Sequence, residues 1–126
     1  MTAKDPEVLR TTLGAAADCL RAANYQTLPH EGAPGLEYAG DVYDAIGNLR
    51  LLAQYEKQLL AQLQDFTLGE YAAGKISHAT VGEAGPAVME QVAALRDASS
   101  AAAVLEAALS RAHSAGTWLQ AAQYPP

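Results

Sequence analysis

The chain has 126 residues, carries 8 Lys and Arg against 14 Asp and Glu for a formal charge of −6, and is 50% apolar. That length supports a core of its own, and one domain spanning residues 1–126 is expected. The acidic balance, with the basic residues scattered, opposes direct nucleic-acid binding, and no run approaches the ~20 apolar residues of a membrane span.

Ala occurs 28 times and Leu 16 times, against 8 Val and Ile together. Strong helix formers therefore dominate and β-branched residues are few, so the expected fold is all-α. An antiparallel bundle of three to four helices, two of them long, suits that composition. Cys19 stands alone, which excludes an intramolecular disulfide and favours a reducing compartment. The polar start, Met1 to Pro6, has no apolar leader, so a cytoplasmic location is expected, although export routes that take folded helical substrates leave no such mark. The heavy use of Ala and Gly matches a high-GC bacterial coding bias.

Asp5 as N-cap, Pro6 at the first helical position and Glu7 in the first turn announce the first helix, which should run to about Asn24. Leu9, Leu13, Ala16 and Leu20 form one stripe along it, and Gly14 costs about 1 kcal/mol there unless another helix approaches. Residues 25–36 contain Pro29, Gly32, Pro34 and Gly35 and read as a loop. A long helix follows from about Glu37 to Phe66, with Val42, Ile46, Leu49, Leu52, Leu59, Leu63 and Phe66 recurring around Ala53 and Tyr55. Glycines at 69, 74, 82 and 85 predict a short helix near 68–77 and then a connection. From Pro86 the helical period resumes to about Ala122, with a possible break at Ala98–Ser100. Val88, Leu95, Ala102, Leu109 and Gly116 recur every seven residues and make this helix the expected coiled-coil seam.

Catalytic spacings are sparse. A carboxylate-bridged di-metal centre needs Glu three residues before His, but Thr27, Lys75 and Ser110 precede His30, His78 and His113 at that distance. Cys19 has no neighbouring base and reads as a small apolar packing residue. Nucleophile-elbow, phosphate-loop and dinucleotide motifs are missing, and no cofactor is expected. The sharpest chemical feature is Glu37, Asp41 and Asp44, three carboxylates on one helical face that could serve a metal-assisted hydrolase. The competing explanation is the ordinary preference of acids for a first helical turn.

In length class and in its two long helices the chain resembles the small acidic WXG-type secretion substrates of high-GC bacteria. Their Trp-x-Gly turn is missing, because Trp118 is followed by Leu119-Gln120. Their Tyr-to-acid signal is missing as well, because Val42 and Lys75 stand four residues after Tyr38 and Tyr71. No family is assigned on that basis.

The leading expectation is a non-enzymatic protein that works by protein–protein contact and self-associates as a homodimer or larger species. Leu95, Leu105 and Leu109 on the last helix, Trp118 with Tyr124 at its end, and His30 and Glu31 in the first loop are the expected contact residues.

Overall fold

The computed structural model describes residues 3–79, 82–120 and 122. Among them are three α-helices, α1 (Pro6–Gln26), α2 (Ala39–Ala72) and α3 (Ala84–Gly116), with a short 3-10 turn at Pro29–Glu31 and no strand. The chain divides into two compact units, one formed by residues 1–42 with 120–126 and the other by residues 43–119.

In the first unit, α1 begins and ends within two residues of its sequence signals. Asp5 occupies the N-cap position, but its side chain makes no capping hydrogen bond; its carbonyl instead accepts the Val8 N–H at 3.2 Å. Pro6 at the first position removes one of the amides that would need a partner. No residue of α1 is buried, and nothing lies within 4 Å of where a Cβ on Gly14 would stand. After the 3-10 turn the chain folds back, and Gly35 donates its N–H to the Gln26 carbonyl at 2.7 Å.

The second unit is built on α2 packed against α3. At ~1.5 Å per residue each of these helices is ~50 Å long. Their contacts run in opposite order along the two helices: the Tyr43 ring meets His113, Lys57 meets Ser99 and Glu106, and Tyr71 meets Gly85. The pair is therefore an antiparallel hairpin. Among the described residues, Ala53 on α2 and Val88, Val92 and Ala102 on α3 are the buried ones.

Two expectations are corrected here. Residues 68–72 do not start a separate short helix; they prolong α2, because its packing against α3 continues to Tyr71 and outweighs the ~1 kcal/mol cost of Gly69. The stop comes at a Schellman motif. Gly74 adopts φ +73°, its N–H donates to the Tyr71 carbonyl, and the Lys75 N–H donates to the Glu70 carbonyl, each at 3.0 Å. The break expected at Ala98–Ser100 is also not present, and α3 runs through it. Ser99 turns its hydroxyl outward to donate to the Lys57 carbonyl at 3.2 Å, so the residue expected to weaken the helix ties it to its neighbour. α3 ends at Gly116, six residues before Ala122. Tyr124 lies outside the described residues.

Ala53 is 1% exposed, so a larger side chain there must displace its neighbours. Ala53→Leu is expected to lower stability by about 1–3 kcal/mol through overpacking, measured as a lower urea midpoint by circular dichroism. Tyr55→Ala, two residues away and exposed, should shift that midpoint by no more than about 0.5 kcal/mol.

Candidate functional site

The contacts between α2 and α3 identify which row of each helix faces the other. On α3 it is Val88, Val92, Leu95, Ser99, Ala102, Glu106, Leu109 and His113, at alternating steps of four and three. On α2 the matching row is Ile46, Arg50, Ala53, Lys57, Leu60 and Gln64. Leu95 and Leu109, expected as contact residues for a partner, stand in this seam within one chain and are half-buried.

The α2 side of the seam is unusually polar. Lys57 donates to the Glu106 carboxylate at 3.1 Å, an ion pair in which Glu106 is half-buried. Arg50 is half-buried, and its Nε is shielded from solvent without a hydrogen-bond partner, which costs about 1–3 kcal/mol. At the open end of the hairpin the Tyr43 and His113 rings stack at 3.9 Å between centroids and 18° between planes. Gly47 makes room for that stack, since a Cβ there would stand 3.1 Å from His113 Nε2.

The larger aliphatic residues of α2 lie one position before the seam. Leu49, Leu52, Glu56, Leu59, Leu63 and Phe66 repeat at the same heptad spacing, turned about 100° from the α3-facing row. Leu49, Leu52 and Phe66 are exposed, Phe66 by 59%. The corresponding row of α3, also one position before its seam, is Ala87, Gln91, Ala94, Ala98, Ala101 and Leu105. In an antiparallel pair these two rows fall on the same side, so one face of the hairpin sets a ridge of Leu and Phe beside a shelf of Ala. The opposite face is mixed: Gln54, Gln58, Asp65, Arg96 and Ser100 stand there among Ala61, Ala93 and Ala103 and the exposed Leu51 and Met89. The heptad spacing of Leu49 to Phe66 is readable in the sequence, but it merges there with Ile46 and Ala53 into one broad apolar pattern.

The other expected residues do not converge. Leu105 belongs to the alanine shelf and is exposed. Trp118 is 90% exposed in the turn after α3. His30 and Glu31 are adjacent and exposed in the 3-10 turn, with 4.0 Å between the His30 Nε2 and a Glu31 oxygen. They belong to the first unit and the leucines to the second.

The acidic group near the start of α2 has a structural use. Asp41 Oδ2 accepts the backbone N–H of Tyr38 at 2.8 Å and of Glu37 at 2.9 Å. This is the returning half of a capping box, an acid in the first turn satisfying amides just ahead of the helix. These two bonds, Tyr38's first, hold the Asp41 carboxyl below the ordinary aspartate range. The Tyr38 phenol is pushed up, chiefly by its hydrogen bond to Glu37, then by burial and by the charge of Asp41. Among the described residues no three His, Cys, Asp or Glu side chains gather where a metal ion could be held. No helix among them is long and apolar enough to cross a membrane.

The chain matches no protein-family model, no curated protein and no solved structure.

Two substitutions test these placements. Because the Asp41 pKa is lowered on folding, its cap contributes stability above the unfolded aspartate pKa of about 4 and loses it as pH falls through the lowered value. Asp41→Ala should therefore have a lower thermal midpoint than the parent at neutral pH, and the gap should close on acidification. Leu109→Asp places a carboxylate in the α2–α3 seam and is expected to cost about 1–3 kcal/mol, read as an earlier loss of helicity on heating.

Proposed function

We propose that this protein is a non-enzymatic helical interaction module that acts through its apolar helix faces and associates with itself. What carries the reading is the mismatch between buried and open apolar side chains. Among the described residues four are buried, while Leu9, Leu13 and Leu20 on α1, Leu49, Leu52 and Phe66 on α2, and Val104 and Leu105 on α3 are exposed. Large apolar side chains left exposed along helix faces mark interaction sites.

Association supplies the burial that a single chain lacks and completes the bundle of three to four helices that the composition favours. The net charge of −6 fits a protein partner better than a phosphate backbone. The exposed, unpaired Cys19 suits a reducing compartment and fits work in the cytoplasm.

Light scattering coupled to size-exclusion chromatography provides the test. The expected mass is at least twice 13.2 kDa, falling toward 13.2 kDa on dilution. A folded species of 13.2 kDa at every concentration would refute self-association.

A further inference from the structure

We draw no further inference here: the strongest candidate, the flank of the α2–α3 hairpin where exposed leucines of α2 run beside the alanines of α3, is an apolar face, and nothing in the structure shows what covers it.

Discussion

Lys57 is the residue on which the hairpin turns. Its ammonium reaches Glu106 and its carbonyl accepts from Ser99, so one position of α2 is tied to two points of α3 about two turns apart. With Arg50 and Gln64 in the same row, the side of α2 that meets α3 is the more polar of its two heptad rows. The leucines are displaced onto a flank, and that displacement creates both the thin core and the open face. A partly exposed ion pair contributes little net stability, and the Arg50 Nε subtracts from it. What holds the pair together is close packing of small side chains at Ala53 and Ala102, reinforced by Val88 and Val92.

Much of the fold was legible from local signals. The start of α1 could be placed because Asp5, Pro6 and Glu7 act through backbone chemistry that needs no tertiary partner. The end of α2 could not, because Gly69 and Gly74 look alike in sequence. Gly69 sits inside the helix, while Gly74 takes the left-handed conformation that stops it. Ser99 misleads for a related reason: serine weakens an isolated helix, and only a neighbouring helix with a carbonyl to offer changes the balance.

The candidate site was legible only as a mixture. The every-seventh-residue series through Leu95 and Leu109 is present, but periodicity cannot say which partner it faces, and the structure sets both residues toward α2. The carboxylates at 37, 41 and 44 satisfy a spacing rule for metal chemistry, yet Asp41 is turned to the amides of residues 37 and 38. Spacing along a helix fixes a shared face; it does not fix where an oxygen points.

The polar seam also carries information about alignment. Two rows that both repeat every seven residues can be matched again after a slip of one repeat, with nearly the same small and apolar pattern. Lys57 breaks that degeneracy. Its carbonyl meets the Ser99 hydroxyl and its ammonium reaches Glu106. A slip of one repeat in one direction sets that carbonyl across from Val92 and the ammonium across from Ser99, removing Glu106; a slip in the other sets them across from Glu106 and His113, removing Ser99. The lysine thus acts as a key that admits a single alignment of two otherwise repetitive helices, and its worth lies in the hairpins it forbids.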